Sequence, residues 1–219
     1  NGLHGYLGEI PSQQLLAEES CHIEIELCSE PIGKQDQYAA VYGGLNLIEF
    51  KKDDSVVISP VKCDPSTKIQ LQDNIIVFYT GINRNSSKIL EKQTKDMNSK
   101  NKQDIVKEMV DLCYLMYSRL QKDNISDFGE ILHQGWILKK SINDEISNRV
   151  IDDYYDRARA AGAQGGKLMG AGAGGFLMFY ANKNKHEDII MALNDLDYIP
   201  MEFDNTGSTI VYNDVIING

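Results

Sequence analysis

No stretch of this chain approaches the ~20 consecutive apolar residues that a membrane-spanning helix needs. Nor does a basic-then-apolar leader open it, so the expected setting is the cytoplasm. Its four cysteines, Cys21, Cys28, Cys63 and Cys113, include no C-x-x-C pair and read as reduced, partly buried thiols. The histidines His4, His22, His133 and His186 have no ligand spacing, which argues against a zinc site. Positive charge is scarce: 22 Lys and Arg face 32 Asp and Glu, a net charge of −10. Such a chain repels nucleic acid and anionic membrane unless a basic patch intervenes. Lys92, Lys95, Lys100 and Lys102 cluster loosely, but Asp96 and Asp104 dilute them, and the segment reads as a solvated helical region. Neither nucleic acid nor membrane is an expected partner.

What is present suits a globular fold. The chain has 219 residues, 42% of them hydrophobic, enough for one large domain or two small ones. Residues 1–8 read as the last turns of a helix ending near Gly8. Leu15, Leu16, Ile23 and Leu27 recur at roughly helical spacing, with Pro31 and Gly33 beyond. A short helix from Asp36 closes at Gly43–Gly44. The runs "LNLIEF", "VVISPV" and "IIVFYTG" are strand-like. Helical patterns follow over 103–121, 125–140 and 144–161, then the strand "FLMFYA", a helix near 185–196, and two strand-like runs, "IPMEF" and "STIVYND". This order favours an α+β fold over a doubly wound sheet. A boundary between two parts is expected in the polar segment "DPSTKIQLQDN", residues 64–74.

Glycine is concentrated in one place. "GGKLMGAGAGG", residues 165–175, holds six glycines in eleven positions, and Gly170, Gly172 and Gly175 spell G-x-G-x-x-G. A dinucleotide fingerprint needs a strand before it and a helix after it, with the pyrophosphate on that helix's N-terminus. Here a helical pattern precedes the glycines and a strand follows, so the match is false. Either the loop packs tightly against its own domain, or its backbone approaches a phosphate or sugar. Lys167 beside it is compatible with an anion.

A second constellation is "PIGKQDQYAAVYGG", in which Asp36 sits where a helix opens. Its plain use is helix capping. Its chemical use is as a carboxylate at a reaction centre. Glu24 and Glu26, upstream, fall on different helix faces, so at most one converges on Asp36. A glutamate and an aspartate together suit Mg2+, which takes one or two carboxylates plus substrate phosphates. Phosphoryl transfer needs mainly positioning and charge neutralisation.

Taken together, the two stretches resemble the GHMP-type small-molecule kinases. "KLMGAGAGGFLMFY" resembles the family's third motif, with Ala173 where glycine is usual. "GKQDQYAAVYGGLNLIEF" resembles the stretch around its catalytic aspartate, and "FDNTGSTIVYND" is similar to the sugar-1-kinase branch that includes heptose 7-phosphate kinases. The resemblance covers essentially the whole chain. It implies Asp36 as the catalytic aspartate, Glu24 as the Mg2+-binding glutamate with Glu26 in reserve, and Gly170, Gly172, Gly174 and Gly175 along the phosphate or sugar side of the cleft. It implies ATP and Mg2+ as cofactors and the anomeric hydroxyl of a heptose 7-phosphate as the acceptor. Fucokinase-like or galactokinase-like relatives, or a non-catalytic binding module, are the alternatives. The implied fold is the C-terminal part of a ribosomal-S5-like domain over 1–68 and a ferredoxin-like domain over 69–219. The family's ATP-phosphate loop is not among these residues. The chain is therefore expected to be the C-terminal part of a longer kinase, with little activity by itself.

Overall fold

The computed structural model describes residues 1–82, 100–170 and 174–212. Lys92, Lys95 and Asp96 of the loose lysine cluster lie outside the described residues, as does Gly172. The chain divides into two compact units, Asn1–Pro60 with the described residues from Phe203 onward, and Val61–Glu202. The expected boundary at 68/69 falls inside a helix. The polar stretch from residue 64 forms α4, Pro65–Asp73, with Pro65 in its first turn and Leu71 buried. Asp123 supplies what the local sequence lacks: its carboxylate accepts from the Asp64 N–H at 2.6 Å and the Thr67 hydroxyl at 2.9 Å. The first of these satisfies a backbone N–H that a helix start leaves open, and the second ties the first turn to Asp123.

The first unit begins with α1, Gly2–Tyr6, and α2, Gln13–Cys21, whose Ser12 cap accepts from the Leu15 N–H. α2 continues into a π-helical turn, His22–Leu27, followed by α3, Gln35–Tyr42, and the hairpin β1, Asn46–Phe50, with β2, Val56–Pro60. Its core is Leu16, Ala17, Cys21, Tyr38 and Val41. The apolar face expected along this helix is only partly the buried one. Leu16 is buried, but Leu15, Ile23 and Leu27 are exposed. Beyond Cys21 the wider π-helical winding breaks the 3.6-residue register that would have carried Ile23 and Leu27 onto the face of Leu16.

The two expected C-terminal runs form no strand pair among the described residues; Asn213 and Asp214 of "STIVYND" lie outside them. "IPMEF" contributes only Ile199, at the end of β6, Asp197–Ile199, and residues 200–212 are irregular. Pro200 has no N–H with which to extend a ladder. Beyond it, the Asp204 carboxylate accepts from the Thr206 N–H and hydroxyl and from the Gly207 N–H, which hold it below its usual pKa. The Gly44 N–H donates to the Asp204 carbonyl and the Ser208 N–H to that of Val41. Gly43 and Gly207 make this junction possible. Both have positive φ, and a Cβ on either would lie 2.2 Å from backbone of the other strand of the contact.

The second unit is a helical layer on a four-stranded antiparallel sheet of order β4-β5-β3-β6. Its elements are α4, β3 (Ile75–Tyr79), α5 (Lys100–Leu120), α6 (Phe128–Ile142), α7 (Arg149–Ala160), β4 (Gly165–Leu168), β5 (Phe176–Tyr180), α8 (His186–Ala192) and β6 (Asp197–Ile199). From β3 onward the order of strands and helices is a split βαβ arrangement with extra helices in the first crossover. Asn148 caps α7 by accepting from the Val150 and Ile151 N–H groups, and Ile151, Tyr155 and Ala158 line its buried face. They meet Ile76 and Phe78 of β3, Leu177 and Phe179 of β5, and Trp136 of α6 in one core.

Candidate active site

Within the first unit, the π-helical turn carries Glu24 and the first turn of α3 carries Asp36. Both line one cavity of about 440 Å3, with Gln37, Ser20, Asn1 and Ser208. Asp36 does not cap α3. The cap position is Lys34, with no side-chain capping bond, and Asp36 lies just inside the helix, where the N-terminal dipole favours a negative charge. Among the described residues its carboxylate has no hydrogen-bond or ion-pair partner. Glu24 is held: the Gln37 amide donates to one carboxylate oxygen at 2.5 Å. Gln37 is only 5% exposed, and its Oε1 is buried with no partner. Glu26 diverges. It accepts from His22 at 2.8 Å and borders a different cavity, beside Lys34 and Tyr38.

This donor set fits Mg2+. Two hard carboxylates share the cavity, one of them partly satisfied and the other free. No group of three His, Cys, Asp or Glu side chains suited to a metal occurs among the described residues. That leaves the remaining positions of an Mg2+ to water and substrate phosphate, its usual arrangement.

The glycine stretch lies in the second unit as the turn between β4 and β5. The strands pair antiparallel from Gly165↔Tyr180 to Leu168↔Leu177, and the Met169 N–H donates to the Phe176 carbonyl at 2.8 Å. A strand thus precedes Gly170 as well as following Gly175, and among the described residues no helix begins there. The turn has local reasons for glycine. Gly170 and Gly175 have φ of +77° and +98°, and a Cβ on Gly174 would lie 2.3 Å from the Ile82 carbonyl oxygen. The Gly170 carbonyl accepts from the Lys139 ammonium at 2.8 Å. Gly172 lies outside the described residues.

Three polar residues of these places escaped the sequence reading. Gln37 was signalled only by adjacency to Asp36. Ser208 reaches the cavity through the Gly43–Gly207 junction, a contact between positions far apart in the chain. Lys139 sits at a helix end, in "KK", where a lysine ordinarily points to water.

The chain carries a GHMP kinase C-terminal domain: residues 116–197 match the family described as "GHMP kinases C terminal". The α+β architecture agrees. The crystal structure of a D-glycero-D-manno-heptose 1-phosphate kinase from Bacteriodes thetaiotaomicron superposes with a TM-score of 0.64 at 24% identity, over 94% of this chain and 57% of that one. In sequence the chain is similar to the D-glycero-alpha-D-manno-heptose 7-phosphate kinase of Campylobacter jejuni, 30% identical over 161 residues, which are 74% of this chain and 48% of that protein. It is also similar to a bifunctional fucokinase/GDP-fucose pyrophosphorylase of Arabidopsis thaliana, 24% identical over 153 residues, 68% of this chain and 14% of that protein. The chain thus spans about half the length of the heptose kinase it matches. No helix among the described residues is long and apolar enough to cross a membrane.

Proposed function

We propose that these residues belong to an ATP-dependent sugar kinase that phosphorylates the anomeric hydroxyl of a heptose 7-phosphate. The observation that carries this reading is the cavity shared by Glu24 and an unpartnered Asp36. The similarity to the heptose kinase supports the acceptor. Asp36 orients the C1 hydroxyl and accepts its proton as the oxygen attacks the γ-phosphorus of ATP and the bond to the β-phosphate oxygen breaks. A carboxylate is a weak base for an alcohol, so holding the hydroxyl in line is the larger contribution of Asp36. Glu24, fixed by Gln37, holds Mg2+, which supplies neutralisation of phosphate charge when bound. Gly170, Gly172, Gly174 and Gly175 border the phosphate or sugar. The first unit is then the S5-like portion carrying the aspartate, and the second the ferredoxin-like domain. The activity belongs to the whole cytoplasmic protein. The 219 residues alone, without the family's ATP-phosphate loop, turn over little ATP.

Asp36→Asn in the full-length protein tests this. Turnover falls by about 10²–10⁴-fold while nucleotide binding persists. Unchanged turnover, or a wild-type protein with no sugar-dependent ATP use, favours a non-catalytic module instead. The similarity to the fucokinase supports a second acceptor, fucose, at lower identity. Comparing kcat/KM for heptose 7-phosphate and fucose separates the two.

A further inference from the structure

Within the second unit, α5 and α6 leave an open groove of about 580 Å3 between them. Its walls are two helical stripes. Glu108, Asp111 and Leu112 share one face of α5. Along α6, Glu130, His133, Gln134, Ile137 and Leu138 recur at steps of three and four residues, a rise of about 12 Å. The walls meet where Leu112 Cδ1 comes within 4.0 Å of the place a Cβ on Gly135 would take. The fold does not finish covering the apolar lining. Ile137 is 46% exposed, and Leu115, the next residue of the α5 stripe by spacing, is 41% exposed.

The charge of the groove has one sign. Glu108 and Asp111 have no hydrogen-bond or ion-pair partner among the described residues. Like charges three residues apart on a helix repel each other, and Lys107, four residues before Asp111, does not pair with it. Glu130 accepts from the Gln134 amide at 3.1 Å. No lysine or arginine is among the described residues that line the groove. His133 brings no charge at neutral pH, because burial, and then the Arg159 charge, hold its pKa below 6.5. Elsewhere in this unit acids are matched: Asp152 by Lys140 at 2.9 Å and Asp195 by Arg157 at 2.7 Å. The groove therefore lacks two things at once, cover for its aliphatic side chains and cations for its carboxylates. A helix with an apolar stripe flanked by lysine or arginine supplies both.

We propose that the α5–α6 groove docks a basic amphipathic helix of a partner protein. The apolar stripe of that helix lies on Leu112, Ile137 and Leu138, and its cations face Glu108, Asp111 and Glu130. Burial of the stripe supplies affinity, and the charges supply steering and orientation. An extended peptide is a poorer occupant, because both walls are helices whose peptide groups are already bonded internally and give a strand no edge to pair with. No residue of the Asp36 cavity takes part, so the inference stands apart from the kinase reading.

The test is a titration of the full-length protein, with isotopically labelled leucine and isoleucine methyl groups, by a synthetic amphipathic helix of leucine and lysine. The controls are a peptide of the same composition with its helical period scrambled, and spermine. The expected result is movement of the Leu112, Ile137 and Leu138 signals by the amphipathic peptide alone. Binding should weaken about tenfold in Ile137→Ser and again in Glu108→Gln with Asp111→Asn. All three positions are exposed, so the variants keep the fold, which Trp136 fluorescence checks. Glu108→Lys with Asp111→Lys should turn the preference toward a leucine–glutamate helix. No movement at millimolar peptide, unchanged affinity in Ile137→Ser, or equal movement by the scrambled peptide or spermine overturns the proposal. Self-association of the protein that Ile137→Ser abolishes would overturn it too, by making a second copy the occupant. Sugar-dependent ATP use is expected at the wild-type level in these variants, so failure here is distinct from failure of the Asp36→Asn test.

Discussion

The two units are held together differently. The Val61–Glu202 unit buries Trp136, Phe78, Phe179, Ile151 and Leu177 almost completely between sheet and helices. The first unit has a core of four small and medium side chains plus Tyr38's ring, and leaves Ile10 at 99% and Leu3 at 82% exposure. Its candidate site is arranged instead by directed contacts: Gln37 holds Glu24, and the Gly43–Gly207 junction brings Ser208 to the cavity. One unit is fixed by volume, the other by a few directed contacts. The teaching is that large effects from truncating side chains should fall in the second unit, and that the first should be sensitive to changes that bury nothing.

The largest contrast comes from Phe179→Ala against Leu16→Ala. Phe179 is fully buried in the larger core and packs against Phe78 and Tyr155, so its loss costs about 3–5 kcal/mol. Leu16 is at the edge of the smaller cluster and borders the cavity, so Leu16→Ala costs about 2 kcal/mol, the lower end for such changes. The sole tryptophan makes the measurement selective. Trp136 lies in the larger core, so its fluorescence follows urea unfolding of that unit, while far-UV circular dichroism follows both. Equal costs at the two positions would break the comparison.

Gly207→Ala sharpens it from the other side. The new Cβ meets the Val41 carbonyl oxygen and sits on a backbone with φ of +65°. The positive φ alone costs about 1–2 kcal/mol, and relief of the clash requires the segment to leave α3. The expected readout is faster amide exchange at Gly44 and Ser208, whose N–H groups bridge that junction, with Trp136 fluorescence unchanged. Unaltered exchange there would mean that the junction is not what holds Ser208 at the cavity.

The same division explains what could be read from the sequence. Elements that carry their own local signal were legible: α3 between Asp36 and its glycine pair, β3 and β5 as β-branched and aromatic runs, α5 and α7 by periodicity. Elements made by a distant partner were not. α4 looks like a linker until Asp123 accepts its first donors. β4 begins with Gly165–Gly166, which carry no strand signal, and owes its conformation to pairing with β5. "STIVYND" alternates like a strand, yet Asp204 and Pro200 divert the chain before it. For the candidate site, Asp36 and Glu24 were visible as a motif. Gln37, Ser208 and Lys139 were not, because their significance lies in which atom each one reaches.

The smallest expected effect concerns a directed contact that titrates. His4, in α1, stands between two carboxylates, 2.6 Å from Glu9 through Nδ1 and 2.6 Å from Glu19 through Nε2. Only the imidazolium can donate to both at once. The bonds to Glu19 and then Glu9 raise its pKa above the ordinary 6.5. The folded state therefore binds the proton more tightly than the unfolded chain. The added stability is fully present below the unfolded value and fades as pH rises through the raised folded one. Wild type should exceed His4→Gln in urea midpoint at about pH 6, and the gap should close by about pH 9. The gap should appear in circular dichroism and not in Trp136 fluorescence. A gap that ignores pH would make the link plain hydrogen bonding. A gap seen by Trp136 would mean that the units do not unfold separately, and that the contrast between volume and directed contact describes their architecture without governing their stability.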